Sequence, residues 1–182
     1  MATVFLDRDD TLIACTDLPA PPPPAAPGDL VNPALVRLLP GVLEGCRALR
    51  AAGHMLVVVS NQGSVARGGA TIAVVESVNR RLDRLLRDDA GRALVASYYF
   101  CPFHPKGNVP EFTREHPWRK PGGGMLHAAA TDLGLTLADA WIIGDAPRDI
   151  EAGLAAGLDP AKCLLVGAAL SFTQAAERIL AP

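Results

Sequence analysis

The chain has 182 residues, 49% of them hydrophobic and 20% charged, with a formal net charge of -2. That length and apolar content suffice for one soluble domain with a sizeable core and require no second domain. Acids and bases are mixed along the chain, which excludes a global electrostatic attraction to nucleic acid or to an anionic membrane, so any anionic ligand must be held by local groups. Cys15, Cys46, Cys101 and Cys163 are scattered without a C-x-x-C spacing, and no basic region precedes a long apolar run near Met1. A reducing cytoplasm is therefore expected.

In chain order, Val4-Phe5-Leu6 predicts a buried strand over Thr3 to Leu6, which gives way to Asp7-Arg8-Asp9-Asp10-Thr11. Strand side chains repeat every second residue, so Asp7 and Asp9 start on one side of the backbone and can converge on one phosphoryl group. One could attack phosphorus while the other supplies a proton. Open α/β sheets bind ligands outside the carboxyl ends of their strands, where this pair falls. Taken alone, the pentapeptide also fits a charged strand end solvated by water. A stiff tract follows with Pro19, Pro21 to Pro24 and Pro27. It cannot pair in a sheet, and either borders a site or forms a surface insertion. Gly41 to Ala52 reads as a helix stopped at Gly53.

Met55 to Val59 is the next expected strand, opening into Ser60-Asn61-Gln62-Gly63-Ser64-Val65-Ala66-Arg67-Gly68. Ser60 can donate its hydroxyl to a phosphate oxygen, Asn61 can donate side-chain or backbone hydrogens, and the loop amides can form an anion-binding concavity. Arg67 could grip a substrate. An ordinary strand-to-helix turn has the same composition. Thr71 can cap a helix whose apolar positions are Ile72, Val75, Val78, Leu82 and Leu85. Arg80, Arg84 and Arg87 on its other face alternate with Asp83, Asp88 and Asp89, which reads as a solvated surface rather than a nucleic-acid track.

A strand over Ser97 to Phe100 leads into a long loop and then into Arg119-Lys120-Pro121-Gly122-Gly123-Gly124, the entry to a helix over Leu126 to Leu133. A fixed ammonium there would stabilise charge on transferring phosphoryl oxygens and keep a neighbouring carboxylate ionised. A surface cation pair before a helix is the plainer reading. The strand Ala140 to Ile143 ends in Gly144-Asp145, with Asp149 four residues on. Hard oxygen ligands at a strand end suit Mg²⁺, and helix capping is the alternative. Lys162 to Val166 is the last expected strand. This alternation predicts a Rossmann-like three-layer α/β fold with a parallel sheet covered on both faces.

Together these segments resemble the motif set of the haloacid dehalogenase-like (HAD-like) superfamily: D-x-D-x-T, a strand-end serine, a downstream lysine and G-D-x-x-x-D. Within it, F-L-D-R-D, S-N-Q-x-x-V-A-R-G, C-P-x-H-P-x-G and R-K-P are similar to the family of D-glycero-D-manno-heptose 1,7-bisphosphate 7-phosphatases and histidinol phosphatases. The resemblance spans nearly the whole chain. It implies a Mg²⁺-dependent phosphatase of a small phosphorylated sugar, working through an aspartyl-phosphate. Asp7 would be nucleophile and metal ligand, Asp9 the acid/base and a backbone-carbonyl ligand, and Asp145 the second carboxylate ligand. Asp9 is expected to start protonated because it lies near another carboxylate. Ser60, Asn61 and Lys120 would hold the phosphate, Asp149 would orient Lys120 or a metal-bound water, and Arg67 and Arg119 would face the rest of the substrate.

The stretches between motifs are too short for an inserted cap domain, so residues 1–182 are expected to form a single capless phosphatase domain. Specificity then falls to the loops about 14–32 and 101–118. In the resembling family the second loop commonly holds a structural zinc through C-x-H and a later C-x-C. Here only Cys101 matches, while Phe103, His116 and Trp118 stand at the other three places. Phenylalanine and tryptophan cannot ligate zinc, so no zinc is expected, and a rearranged site from Cys101, His104 and His116 is the alternative. Asp10 stands where the family has glycine. A histidinol-phosphate or polynucleotide 3′-phosphatase, or a catalytically silent phosphoanion-binding scaffold, are the competing functions. Mixed charge makes nucleic acid the weaker partner, and with no evident dimerisation stripe a monomer is the default.

Overall fold

In the computed structural model, which describes residues 2–181, five parallel strands form one sheet in the order β3-β2-β1-β4-β5. The strands are β1 Thr3–Leu6, β2 Met55–Asn61, β3 Val95–Cys101, β4 Trp141–Gly144 and β5 Cys163–Leu165. The α-helices among the described residues are α1 Val42–Ala51, α2 Ser64–Arg67, α3 Ile72–Leu85, α4 Gly124–Leu133, α5 Pro147–Ala155 and α6 Phe172–Leu180. The chain lays β2 and β3 on one side of β1, then β4 and β5 on the other. A crevice therefore opens where β1 and β4 end side by side, the place where such sheets bind ligands. This is the Rossmann-like α/β architecture expected from the alternation of elements.

Side-chain parity decides what each strand residue meets. Val4 and Leu6 pack with Val42, Val78 and Phe172 from the layer of α1, α3 and α6. Phe5 points the other way, onto Met125 and Leu126 of α4. In β2, Leu56 and Val58 share the first layer and Val57 and Val59 the second. β1 and β2 are thus dry on both faces, which is why they read as unbroken apolar runs rather than alternating ones. Continued past the strand, the parity sends Arg8 toward α3 and Asp7 toward α4 and α5.

The differences from the expected boundaries have local causes. β2 runs two residues beyond Val59 because Ser60 and Asn61 still pair with Phe100 and Cys101. β5 starts at Cys163 because Pro160–Lys162 forms a 3-10 turn capped by Asp159. The single turn α2 was not expected from the sequence; it buries Ser64, Val65 and Ala66. Thr71 caps α3 as expected, its hydroxyl accepting the Val74 amide at 3.2 Å.

Among the described residues, the stretch between β1 and α1 contains one 3-10 turn, Pro33–Leu35, and the stretch between β3 and α4 contains neither an α-helix nor a strand. The proline-rich tract is docked onto the loop beyond α2. Asp29 pairs with Arg67 at 2.7 Å, and the Gly69 backbone lies so close to Ala25 that a Cβ there would collide with backbone atoms. We expect Gly69→Ala to lift this tract, because the neighbour that must yield is backbone rather than a flexible side chain. Limited proteolysis should then cut within residues 14–32 faster than in the parent chain; unchanged resistance would show that the tract is not held there.

Candidate active site

Four strand or helix ends meet in the crevice. Asp7, one residue past β1, accepts a very short hydrogen bond from the Lys120 ammonium. Lys120 comes from the glycine-rich entry to α4, and its Nζ also donates to the Val59 carbonyl at 2.9 Å and lies 2.6 Å from Asp149 Oδ1. Asp149 sits in the first turn of α5, where its other oxygen accepts the Ala146 amide at 3.0 Å. Gly144 is obligatory beside it, since a Cβ would overlap the Asp149 carboxylate. Thr11 Oγ1 lies 3.5 Å from Asp7 and 3.4 Å from Asp145, spanning the two strand ends.

Both Lys120 and Asp149 are fully buried, so their charges are fixed against each other with little screening. Burial alone would depress the Lys120 ammonium, but Asp7 and Asp149 together hold it above its usual range. Burial pushes the Asp7 carboxyl up to about 7 against the pull of Lys120, and the charges of Asp149 and Asp9 add to the rise. Asp145 is also raised, by burial and then by Asp149. Carboxylate oxygens of Asp7, Asp145 and Asp149 lie within 4.8 Å of one another. Three acids facing one ammonium leave an excess of negative charge on hard oxygens, the donor set that suits Mg²⁺ rather than a softer metal.

The Asp9 carboxylate is turned out of this group. The Arg8 guanidinium grips it through Nε at 2.8 Å and a terminal nitrogen at 3.1 Å, Gln62 Nε2 donates at 2.8 Å, and the Cys15 thiol at 3.4 Å. Arg8 is itself fully buried and reaches Asn79 of α3 at 2.9 Å, on the side that its parity in the strand dictates. Burial would raise the Asp9 carboxyl, but Arg8 and Gln62 outweigh it and hold it below the usual range. This corrects the expectation of a protonated Asp9. A cation, not a second carboxylate, dominates its surroundings, and the carboxyl that burial raises is that of Asp7.

Neighbouring residues also take positions not expected from their types. The Asn61 amide clamps the Lys120 backbone in both directions, donating to its carbonyl and accepting its N–H, each at 2.9 Å. Its side chain is thus occupied in placing Lys120 instead of pointing to a phosphate. Ser60 is buried and accepts from Gln62 at 2.8 Å. Asp10 has a φ of 56°, the backbone region that favours the family's glycine, and its carboxylate accepts the amides of Cys15 and Thr16 at 2.8 and 3.0 Å. It closes the loop after Asp9, and its charge adds to the rise of the Asp145 carboxyl. Arg8, Thr11, Gln62 and Asn79 were not singled out from the sequence. A lone arginine between two acids at the end of a buried strand was the available signal for Arg8.

Arg67 and Arg119 approach each other over Gly63, together with His104, so a Cβ at Gly63 would touch all three side chains. One Arg67 nitrogen is bound by Asp29. Cys101, His104 and His116 do not converge. His104 Nδ1 accepts the Lys106 amide at 2.9 Å, His116 Nδ1 accepts the Trp118 amide at 3.1 Å, and the Cys101 thiol faces the Phe103 carbonyl. Among the described residues the one group of acids, histidines and cysteines close enough to share an ion is Asp7, Asp145 and Asp149. The alternative site from Cys101, His104 and His116 is not assembled in this arrangement of the loop, where each histidine Nδ1 serves its own segment.

The Arg8 and Asp9 pair makes a prediction on stability. Arg8→Met leaves the partly exposed Asp9 carboxylate without its cation but still held by Gln62, and should cost about 1 to 3 kcal/mol in urea unfolding. Arg8→Met combined with Asp9→Asn should recover most of that loss; equal losses in the single and double variants would mean the two residues are not coupled.

Known proteins bear on this arrangement. A HAD-hydrolase-like family model matches residues 117–170, the stretch that carries Lys120, Asp145 and Asp149. The D-glycero-beta-D-manno-heptose-1,7-bisphosphate 7-phosphatase of Mesorhizobium japonicum is 35% identical over 158 residues, which cover 87% of this chain and 67% of that protein. The enzyme of that name from Salmonella typhi is 33% identical over 156 residues, covering 85% and 76%. For Escherichia coli K12 the identity is 38% over 119 residues, and the match spans 61% of the relative, less than two thirds of its length. A solved structure from Mesorhizobium loti, described as a putative HAD-like phosphatase, superposes with a TM-score of 0.74 at 35% identity, covering 87% of this chain and 69% of that one. The D,D-heptose 1,7-bisphosphate phosphatase of B. bronchiseptica, solved with magnesium and phosphate, shares the fold at a TM-score of 0.74 and 23% identity, over 99% of this chain and 98% of that one. Buried lysine, strand-end acids and overall sequence agree: this chain belongs to the HAD-like phosphatases, in the family of the D-glycero-β-D-manno-heptose-1,7-bisphosphate 7-phosphatases.

Proposed function

We propose that the chain is a Mg²⁺-dependent phosphatase that removes the 7-phosphate of D-glycero-D-manno-heptose 1,7-bisphosphate through an aspartyl-phosphate on Asp7. The observation that carries this reading is the Asp7 carboxylate held at a strand end between the Lys120 ammonium and a group of acids. Residues 1–182 act as one unit without a cap, a monomer working in the cytoplasm, where the free thiols of Cys15, Cys46, Cys101 and Cys163 stay reduced. Among the described residues no helix is long and apolar enough to cross a membrane. The relatives' names support the substrate class.

Asp7 attacks phosphorus in line with the bond to the sugar oxygen. That bond breaks as the new one to the carboxylate forms, and the leaving oxygen takes a proton from Asp9. A water then attacks the aspartyl-phosphate, giving its proton to Asp9 and freeing inorganic phosphate and Asp7. Mg²⁺ held by Asp7, Asp145 and the Asp9 carbonyl would neutralise the phosphoryl oxygens. Lys120 adds a fixed positive charge on the same oxygens, and Asp149 keeps it aimed. As arranged here, Arg8 and Gln62 hold Asp9 in the form that accepts a proton from water. Donation to the sugar oxygen requires Asp9 to take up a proton and release Arg8. Ser60 donates to a phosphate oxygen, while Arg67 and Arg119 meet the distal part of the substrate.

Asp7→Asn should lower turnover by at least about a thousandfold while the far-UV circular dichroism of the parent is kept. Near-normal turnover would remove Asp7 from the nucleophile role. A panel of heptose bisphosphate, histidinol phosphate and a 3′-phosphorylated oligonucleotide should favour the first, and only with Mg²⁺ present; inactivity on all three would favour a silent scaffold. Binding of the ion is checked apart from activity. Mg²⁺ at a hundred times its Kd should stabilise the parent by about 2.7 kcal/mol. Asp145→Ala should abolish that gain, and an undiminished gain would place the ion elsewhere.

A further inference from the structure

The loop between β3 and α4 carries a stack of rings that the reaction does not use. The Phe103 ring lies 4.3 Å from the His116 imidazole, centroid to centroid, with their planes 20° apart. The Arg114 guanidinium sits 4.1 Å from the centroid of the Phe103 ring. Trp118 meets His116 edge-on at 6.0 Å and Tyr99 of β3 at 6.1 Å. Arg114, Phe103, His116, Trp118 and Tyr99 thus form one continuous series from the loop to the sheet. These are geometries that aromatic pairs and cations favour. Burial and the charge of Arg114 hold the His116 imidazole below its usual range, so a neutral ring faces Phe103.

The two stacked residues are also those whose carbonyls hold Arg119. Its backbone N–H donates to His116 O at 2.9 Å, and its guanidinium donates to Phe103 O at 3.4 Å. Arg119 precedes Lys120 and leans over Gly63 toward Arg67. The spacing of two rings therefore fixes where a guanidinium stands at the mouth of the crevice.

We propose that the stack of Phe103 on His116 is a metal-free clasp that positions Arg119 to receive the distal anionic group of a phosphorylated substrate. The inference rests on the reading that Arg119 faces the substrate. Phe103 and His116 are positioning residues that act through Arg119. The clasp contributes to binding away from the reacting phosphoryl group, so its loss should appear in KM for a large substrate and not in chemistry.

Three chains test it: the parent, Phe103→Leu, which keeps apolar bulk but no ring, and Phe103→Tyr, which keeps the ring. Two substrates are compared with Mg²⁺ present, heptose 1,7-bisphosphate and p-nitrophenyl phosphate, which has no distal group. Phe103→Leu should raise KM for the bisphosphate about five- to tenfold with kcat little changed, as loss of an aromatic pair implies. KM for p-nitrophenyl phosphate should stay put, and Phe103→Tyr should restore the bisphosphate value. An equal rise for both substrates, or no rise, would overturn the proposal. Trp118 fluorescence and tryptic cleavage within 104–119 read the clasp without activity, and both should change in Phe103→Leu alone. If the parent fails to turn over the bisphosphate, the functional reading fails and with it the assignment of Arg119. Unchanged fluorescence and cleavage would instead reject the clasp itself. Stoichiometric zinc in the parent, lost in His116→Ala, would also reject a metal-free clasp.

Discussion

A lysine ammonium with no access to water sits between two carboxylates, and the remaining site is arranged around it. Lys120 is reached by Asp7 from the end of β1, by Asp149 from α5 and by the Val59 carbonyl from β2. Removing such a charge from water is costly, and it is sustained only when opposite charge and hydrogen bonds replace the lost solvation. The pair does not balance the site, because Asp145 and a second carboxylate remain in excess of one ammonium. Burial and this excess raise the Asp7 carboxyl despite Lys120. A cation on these oxygens would relieve that charge, so the electrostatics that make the site uncomfortable by itself are those that make it a place for a metal and a phosphate.

The same parity that builds the core divides the labour around the site. Even-numbered residues of β1 face the layer of α1, α3 and α6, and Arg8 follows them to Asn79. Odd-numbered residues face α4 and α5, and Asp7 follows them to Lys120. Adjacent residues of one short motif therefore serve separate networks, one controlling the state of Asp9 and one controlling Asp7. Gln62 ties the first network to Ser60, and Asn61 ties the second to the backbone of Lys120. Two consecutive residues, Asn61 at the end of β2 and Gln62 just beyond it, thus support the two acids from opposite layers.

The layered fold was legible because β1, β2 and β4 are dry on both faces, so each is an apolar run that leads into polar residues. The strand-end acids and the lysine were legible for the related reason that charge at such a boundary has few structural uses. What sequence alone did not disclose is where side chains of ordinary type are occupied. Nothing in its type or spacing says that Asn61 grips a backbone, or that Arg8 turns a presumed acid into a carboxylate. The loops were opaque for a different reason. Asp29 and Arg67 pair across 38 positions, Phe103 and His116 stack across one loop, and irregular backbone carries no periodicity from which to infer either pairing. The proline tract is largely exposed and is anchored at its far end, through Asp29 and through the close approach of Gly69 to Ala25.

The central claim is that the phosphoryl group passes through the carboxylate at position 7. Acid quenching of a single turnover with Mg²⁺, followed by digestion and mass spectrometry, tests it directly. The peptide that contains Asp7 should carry one phosphoryl group at early times and lose it as phosphate appears. Release of phosphate with no such adduct, or an adduct on a peptide from elsewhere in the chain, would contradict the account.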